Sequence, residues 1–334
     1  MDPFTQGVVG AAFGQLKGST TTLAKAAIIG ALAGMAADLD ILIRSSEDPL
    51  LALELHRHFT HSLFFIPLGA LLCALFFHFT FARRWQFSFK QTYSWSLIGY
   101  ATHGLLDSCT SYGTQLLWPL SNQRFAWDFI AVIDPAFTLP AFACVMAAIY
   151  KKQRRWCVMA IGWMTLYMAF AAWQHQRALT MAHSIATARG HIPEHISAKP
   201  TLGNLVLWKT LYLYDGDFYI NGIKASLFGE DKTWEGETIQ AFDIARDFPT
   251  LSPNAQQYQD IQRFQWFSSH YTALDPHNRQ RIIDLRYSIL PHKSTPLWAI
   301  EIDTSKADNE HVKYIPADHG DTATGAVFFN MLFD

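Results

Sequence analysis

Hydrophobic residues are concentrated in the first half of the chain, in runs that are nearly free of charge. Ser62–Ala82 contains 21 uncharged residues and Trp156–Trp173 contains 18, and both lengths are close to what a helix needs to cross a bilayer core. Phe129–Tyr150 is apolar apart from Asp134, and Gln91–Leu106 is uncharged but shorter. Because such runs recur, the pattern favours membrane helices over the buried helices of a large soluble protein.

The first 40 residues contain two further apolar stretches, Val8–Leu16 and Ala26–Ala37, which are rich in Gly and Ala. Small residues let two helices approach closely in lipid, so the pattern predicts a tight helical hairpin. We do not expect a cleaved signal peptide, because no basic start is followed by one compact apolar core. The fold class predicted for residues 1–173 is an α-helical polytopic membrane domain with about five apolar helices, the first two forming the hairpin.

The second half, residues 174–334, has the pattern of a soluble α+β domain, and we place the boundary near Trp173. Asn254–His270 suits an amphipathic helix. Stretches that alternate in polarity, or that combine β-branched and aromatic residues between turn residues, predict strands. These stretches are Leu205–Tyr214, Phe218–Ala225, Arg281–Leu290 and Pro296–Ile302. The motifs HExxH and GxSxG and the P-loop do not occur there, so we expect no second catalytic centre.

Charge separates the two halves more sharply than the average composition does. The chain of 334 residues is 50% hydrophobic and 16% charged, which is a low charged fraction for an ordinary soluble enzyme. Its formal net charge of −2 argues against a nucleic-acid partner. The first 173 residues hold 21 charged side chains, whereas the remaining 161 hold 33. The four cysteines form no CxxC pair, and they are too few for a disulfide scaffold.

The basic residues of the first half fall unevenly on the two sides of the predicted membrane domain. Nine lie on connections that contain no acid, and three lie on the other side with nearly all the acids. Cytoplasmic loops carry the excess of Lys and Arg, so residues 174–334 should be extracytoplasmic. The nine are Lys17, Lys25, Arg83, Arg84, Lys90, Lys151, Lys152, Arg154 and Arg155, and the three are Arg44, Arg57 and Arg124.

Six polar side chains on the outer side of this topology have the chemistry of metal ligands. They are Asp38, Asp40, His56, His61, His103 and Asp107. His103 and Asp107 are four residues apart, so they share one face of a helix. Three carboxylates and three imidazoles suit Zn²⁺, Mn²⁺ or Fe²⁺ better than Ca²⁺, which prefers oxygen ligands alone. We expect a divalent metal, Zn or Mn, as one or two ions, with a carboxylate bridging two.

Each pattern also has an ordinary explanation. A His-x3-Asp pair is often only a hydrogen-bonded pair, and Asp-x-Asp after a helix is often a solvated cap. His58 suits a loop surface, and His78 suits packing within its own segment. Asp134, an ionisable residue in an apolar run, either orients a ligand histidine or caps the kink beside Pro135. The concentration of six donors at one membrane depth favours the metal site.

The order of these motifs resembles the YdjM-type inner-membrane metal-dependent hydrolases of bacteria. The motifs are Asp-x-Asp at Asp38, His-Arg-x-x-Thr-His-Ser at His56–Ser62, His-x3-Asp at His103, and Thr-Ser-x-Gly-x-x-Leu-Leu-Trp-Pro at Thr110–Pro119. The resemblance covers roughly residues 2–140, and His56–Ser62 is its most specific element. It implies a multi-pass helical protein of the bacterial plasma membrane with a metal-dependent hydrolytic site, in which the six residues above are the ligands.

The sequence departs from the family pattern at two places. Many relatives have Thr-His near the N-terminus, where this chain has Thr5-Gln6, and a Pro before Asp-x-Asp, where it has Ala37. If that histidine is a ligand in the relatives, Gln6 is a weaker oxygen donor here, and Asp2 is an alternative. The sequence is compatible with Asp2, Gln6 or Asp134 as a further member of the site.

These features predict a membrane-bound metal-dependent hydrolase that uses a metal-activated water. Asp38 and His61 are the expected proton-moving groups, and Arg57 either neutralises an anionic substrate or pairs with Glu54. The expected partners are the lipid bilayer and a small-molecule or lipid substrate, an ester or phosphoester of envelope origin, and no nucleic acid.

Two other classes of protein compete with the hydrolase. The first is a non-catalytic membrane protein that a metal stabilises and whose C-terminal domain binds an envelope partner. A fully coordinated metal without turnover of any ester would favour it. The second is a transporter, which fits less well because the polar residues cluster at one face and do not line a path across the membrane.

Overall fold

The computed structural model describes residues 1–316 and 322–333 of the chain, and the chain divides into two units. The first unit comprises Met1–Ile43, Leu55–Ala172 and Leu202–Asn204, and the second comprises Arg44–Glu54, Trp173–Thr201 and Leu205–Asp334. The segment that joins Asp40 to His56 along the chain therefore lies mostly in the second unit, although both of these side chains lie in the first.

The first unit is built from helices, and a long connection, residues 109–134, joins α5 to α6. The α-helices of the described residues, in both units, are α1 (Pro3–Leu16), α2 (Leu23–Met35), α3 (Leu51–Leu55), α4 (Ile66–Phe77), α5 (Phe89–Ser108), α6 (Pro135–Lys151), α7 (Arg155–Ala188), α8 (Ile244–Asp247), α9 (Gln256–Phe267) and α10 (Thr322–Phe333). Two 3₁₀ turns, Ala36–Leu42 and Phe59–His61, and a π turn, His78–Ala82, complete the first unit.

The α1–α2 hairpin is held by backbone contacts that only glycine permits. A Cβ on Gly10 would overlap the carbonyl oxygen of Gly30, and a Cβ on Gly34 would lie 2.9 Å from the carbonyl oxygen of Gln6. The same Gly30 carbonyl fills the space that a Cβ on Gly99 of α5 would need. Helices without side chains between them pack backbone to backbone. This packing brings α2 and α5 close together one turn before His103 of α5.

The prediction of about five apolar membrane helices was wrong. Within the described residues, α7 is the one helix long and apolar enough to cross a membrane. A second candidate arises only if Leu51–His61 and Ile66–Ala82 are taken together as one span, and these are bent by 89°. The 21-residue run Ser62–Ala82 is thus divided between a turn, the 12 residues of α4 and a π turn.

Helix length and polarity together explain why the polytopic domain is not supported. α5 has 20 residues, but among the described helices only α7 is both long and apolar enough to cross a membrane. The 14 residues of α1 rise about 21 Å, whereas a bilayer core is about 30 Å thick. α2 and α6 are also short, with 13 and 17 residues. The first unit is instead a mixed helical region whose short helices pack on one another.

The second unit contains two antiparallel four-stranded sheets with sequential strand order. The strands are β1 (His195–Pro200), β2 (Leu207–Tyr214), β3 (Asp217–Lys224) and β4 (Lys232–Gln240) in one sheet, and β5 (Thr272–Asp275), β6 (Asn278–Asp284), β7 (Trp298–Glu301) and β8 (Lys313–Pro316) in the other. The four predicted strands overlap β2, β3, β6 and β7, although Arg281–Leu290 meets β6 only up to Asp284, and the predicted helix corresponds to α9. The strands β1, β4, β5 and β8 were not predicted. The polar edge strand β4 has too few apolar residues for the pattern to reveal it.

The polar half of α7 packs along the first sheet. Ala178 and Ala182 of the helix are buried against Trp208 and Ile223 of the strands. A second core lies between the two sheets and includes Leu211, Phe218, Ile220, Tyr271 and Ile283. The first sheet therefore packs against both the second half of α7 and the second sheet, which explains why Trp173–Thr201 belongs to the second unit.

The glycine contacts predict that replacing glycine by alanine changes the stability of the protein in opposite directions at Gly30 and at Gly162. Gly30→Ala should lower the free energy of unfolding by about 1–3 kcal/mol, because the new methyl group overlaps the Gly10 carbonyl. Gly162→Ala in α7 is the matched control, since its Cβ would meet nothing within 4 Å and Ala favours a helix. Thermal unfolding of the detergent-purified proteins measures both, and equal midpoints would contradict the packing described here.

Candidate metal centre

Three local structures of the first unit bring the predicted ligands together. Asp38 and Asp40 lie in the 3₁₀ turn that continues α2, His61 ends the second 3₁₀ turn, and His103 and Asp107 lie one turn apart on α5. Gly104 on α5 leaves room for the backbone carbonyl of His61, which a Cβ there would overlap. The Tyr100 hydroxyl also donates to the Thr60 carbonyl at 2.8 Å, which fixes the His61 turn against the helix.

Four donors form the core of the site. The Nε2 atoms of His61 and His103 are 2.9 Å apart. Asp38 Oδ1 lies 3.4 Å from the first and 3.2 Å from the second, and Asp107 Oδ2 lies 3.2 Å and 3.6 Å from them. A tetrahedral Zn²⁺ with bonds of about 2.1 Å places its ligand atoms about 3.4 Å apart. The donor set therefore matches the size of a divalent metal site.

The hydrogen bonds of His61 and His103 indicate which nitrogen of each ring carries the proton and which one presents a lone pair to the core. His103 Nδ1 donates to the carbonyl oxygen of Gly34, and His61 Nδ1 faces Thr60 Oγ1 at 2.9 Å and Asp40 Oδ2 at 3.3 Å. With the proton on Nδ1, each Nε2 presents a lone pair to the other and to two carboxylates. Such groups repel one another unless a cation lies among them, and this fits a bound metal ion.

The pKa values of His103 and Asp38 are shifted by the close approach of the imidazoles and carboxylates of the core. Burial and the neighbouring His61 lower the pKa of His103, but Asp107 and Asp38 outweigh both and raise it. Burial raises the pKa of Asp38, but hydrogen bonds with His103 and His61 hold it below its usual range. The carboxylates thus stay ionised and favour positive charge among the four donors.

Access to the core is one-sided. The side chains of His61, His103 and Asp107 are fully buried, whereas 17% of the Asp38 side chain is exposed. Leu39, Ile41 and Leu42, which flank the two aspartates, are exposed apolar residues. A molecule that reaches the core therefore passes Asp38 and meets this apolar rim, a name we keep for these three residues.

Asp40 and His56 lie beside the core. Asp40 Oδ1 is 2.8 Å from His56 Nδ1, and Asp40 Oδ2 accepts from Thr60 Oγ1 at 2.8 Å and from the Arg57 backbone N–H at 3.0 Å. Asp40 thus positions both histidines of the motif. Asp38, Asp40 and His56 also form a second group with donor atoms within 4.8 Å of one another, so Asp38 is common to both groups.

Arg57 is buried and contacts Asp107, one of the four donors of the core. Its Nε lies 3.0 Å from Asp107 Oδ2, and its terminal nitrogen donates to Thr110 Oγ1 at 2.8 Å. Its backbone adopts a left-handed conformation, with a φ of 63°, and its carbonyl accepts from the Gln115 N–H at 3.0 Å. The Thr110–Pro119 motif therefore braces the His-Arg motif, while Glu54 receives hydrogen bonds from Arg263 within the second unit.

The three residues left open by the sequence have different positions. Gln6 is buried and donates to Asp107 Oδ1 at 2.8 Å, so it contacts one of the four donors of the core. Asp2 caps α1 through the Thr5 N–H, and Asp134 caps α6 beside Pro135. The amino group of Met1, which the motifs did not indicate, also contacts Asp107.

His58 and His78 pack against aromatic rings. His58 lies beside Trp118 and Phe59, with ring centroids 5.2 Å and 6.0 Å away. His78 lies beside Phe79 and Phe89. Neither belongs to the two groups of potential ligands in the described residues.

The comparisons with known proteins agree with the family prediction. The model of the YdjM inner membrane protein family matches residues 1–178, more than half of the chain, so the chain belongs to this family. The prediction of the family is confirmed, and the family indicates a location in the inner membrane.

The similarity to a curated protein is weaker. The "Uncharacterized protein YfhP" of Bacillus subtilis (strain 168) is 27% identical over 152 residues. The match covers 43% of this chain and 45% of that protein, so it spans less than half of each. No solved structure matches the chain significantly.

Substitutions should weaken metal binding in a graded order. Asp40→Asn changes a residue that supports the donors and should reduce Zn²⁺ affinity by roughly 10- to 100-fold. His61→Ala removes a donor of the core itself and should reduce the affinity by more than that. His78→Ala is the control because its ring lies outside both groups. Metal titration of the purified variants measures the order, and equal affinities of His61→Ala and His78→Ala would rule out the site.

Proposed function

We propose that this protein is a metal-dependent hydrolase of the inner membrane, with one divalent cation, Zn²⁺ or Mn²⁺, bound by Asp38, His61, His103 and Asp107. The observation that carries the proposal is the convergence of two imidazole lone pairs and two carboxylates, at 2.9 to 3.6 Å, on a point that only the Asp38 side exposes. A bound divalent cation lowers the pKa of a coordinated water towards neutrality.

The residues around the core have separate roles in this proposal. Three buried donors fix the ion, and Asp38 lies on the side from which substrate and water arrive. Asp40 accepts from His56 Nδ1 and so leaves His56 Nε2 as a proton acceptor, an arrangement that suits a general base. The Arg57 guanidinium forms an ion pair with the buried Asp107 carboxylate. This ion pair neutralises the carboxylate, so a second metal ion beside Asp107 is not needed.

The surroundings support an amphiphilic substrate. The apolar rim of Leu39, Ile41 and Leu42 lies beside the accessible side of the site, and an ester or phosphoester with an acyl or isoprenoid chain would bury it. The family places the protein in the inner membrane, where such substrates occur.

The orientation of α7 follows from its flanking charges. Lys151, Lys152, Arg154 and Arg155 precede or begin the helix, and the uncharged run Trp156–Trp173 follows them. Because basic residues stay in the cytoplasm, the start of α7 is cytoplasmic, and residues 174–334 form an extracytoplasmic unit. The proposed metal centre lies in the first unit, within Met1–Ile43 and Leu55–Ala172.

A structural metal site is the second candidate function. Four protein donors with the dimensions of a tetrahedron are typical of structural zinc, whereas catalytic zinc keeps a position for water. In that case the metal stabilises the helices of the first unit, and the second unit binds an envelope partner.

Hydrolysis of model esters separates the two candidates. Metal-loaded wild type should hydrolyse a phosphomonoester, phosphodiester or carboxylic ester, lose activity with chelator and regain it with Zn²⁺ or Mn²⁺. His56→Ala should lower kcat about 10²- to 10⁴-fold while the metal content stays unchanged, because its proposed role is proton transfer. His78→Ala serves as the control.

Each alternative outcome has a defined meaning. A wild type that binds one ion per chain tightly but hydrolyses none of the three ester classes contradicts the hydrolase and supports the structural site. If His56→Ala reduces the metal content from two ions to one, His56 is a ligand of a second ion in the group with Asp38 and Asp40.

A further inference from the structure

Helix α7 changes character at Trp173. The run Trp156–Trp173 is uncharged, and Gln174, His175 and Arg177 follow it directly on the same continuous helix. The Trp173 ring is half-exposed, and the Arg177 guanidinium lies 5.1 Å above it. Tryptophan and arginine at the end of an apolar span are typical of the membrane–water interface.

Strand β3 runs towards this end of α7. Arg189, just after the helix, donates to the Tyr212 hydroxyl at 2.9 Å and to Asn221 Oδ1 at 3.1 Å. Fifteen residues earlier on the chain, Gln174 donates to the Ala225 carbonyl at 2.9 Å. As β3 proceeds from Asn221 to Ala225 it therefore approaches Trp173, and the loop that follows lies at the apolar end of the helix.

This β3–β4 loop, residues 225–231, is fixed by polar contacts. Arg177 donates to the Ser226 carbonyl at 3.0 Å and to Asp231 Oδ1 at 3.0 Å. Asp231 also accepts from the Ser226 N–H at 2.8 Å, and Ser226 Oγ donates to the Glu230 carbonyl at 2.7 Å. The base of the loop is thus closed on itself and attached to the helix.

The fixed loop presents apolar side chains at its tip. Phe228 is 95% exposed, and Leu227 is half-exposed. The adjacent Gly229 has a φ of 92°, which favours glycine and turns the chain back. Lys224 and Lys232 face each other across the base of the loop as register partners. This arrangement matches a phospholipid surface: the apolar side chains at the tip suit the acyl chains, and the lysines at the base suit the phosphate groups.

We propose that the tip of the β3–β4 loop, Leu227 and Phe228, inserts into the lipid bilayer beside the point where α7 leaves it, while Lys224 and Lys232 contact lipid phosphates. The occupant is lipid because the loop is attached to the residues that end the apolar part of α7. The insertion rests on the inner-membrane location and on α7 as a span, and it is independent of the proposed hydrolase.

Site-specific photo-crosslinking tests the insertion. The photoreactive residue p-benzoylphenylalanine replaces Phe228 in one full-length variant and Ile192 in another, both in nanodiscs of phosphatidylethanolamine and phosphatidylglycerol. Ile192 is a matched control because it is 84% exposed and follows the far end of α7, about 22 Å or more from Trp173 along the helix. Both variants should keep the thermal midpoint of wild type, since both side chains are exposed.

Mass spectrometry of the irradiated protein gives the result. A phospholipid adduct at position 228 that is at least tenfold more abundant than at position 192 supports the insertion. Equal lipid adducts at both positions, an adduct at 228 to another protein only, or no lipid adduct at 228 in a folded variant would overturn it.

Discussion

The mutual repulsion of four buried donor groups is the constraint on which the first unit depends. Two imidazole nitrogens 2.9 Å apart, with two carboxylate oxygens beside them, are unfavourable in a protein interior without positive charge. The surrounding structure supplies part of that charge through the Arg57 guanidinium, 3.0 Å from Asp107. A divalent cation among the four donors would supply further positive charge and would stabilise the helices that carry them.

Close backbone packing makes this arrangement possible. Gly30 lies between Gly10 on one side and Gly99 on the other, so α1, α2 and α5 approach without intervening side chains. One turn later, the same approach lets the Gly34 carbonyl accept from His103 and fixes that ring. The potential ligand His103 is thus oriented by the backbone of a neighbouring helix, which is why a small change in helix packing would reach the site.

Local sequence patterns identified the chemistry better than the architecture. The spacing of His103 and Asp107 fixes their common helix face, and the motif at His56–Ser62 led to the YdjM family. The roles of Thr60 and Arg57 within that motif were harder to foresee, because they depend on partners at Asp40 and Asp107 that are distant along the chain.

The number of membrane helices could not be read from apolar runs, because hydrophobicity does not distinguish burial in protein from burial in lipid. In α1 the small apolar residues are buried against α2. Ser62–Ala82 begins with a turn, and the helix that follows, Ile66–Ala82, is bent by 89° from the helix before it. In the second unit, strands with a clear apolar pattern were predicted, whereas the polar edge strand Lys232–Gln240 and the short strands β1, β5 and β8 were not.

X-ray absorption spectroscopy at the metal edge tests the central claim most directly, because it reports the ligand atoms themselves. For the purified full-length chain loaded with Zn²⁺, we expect a first shell of nitrogen and oxygen at about 2.0–2.2 Å, with the outer-shell scattering of two imidazoles. A shell that contains sulfur, or one without imidazole scattering, would show that the ion binds elsewhere and would contradict the assignment of His61 and His103.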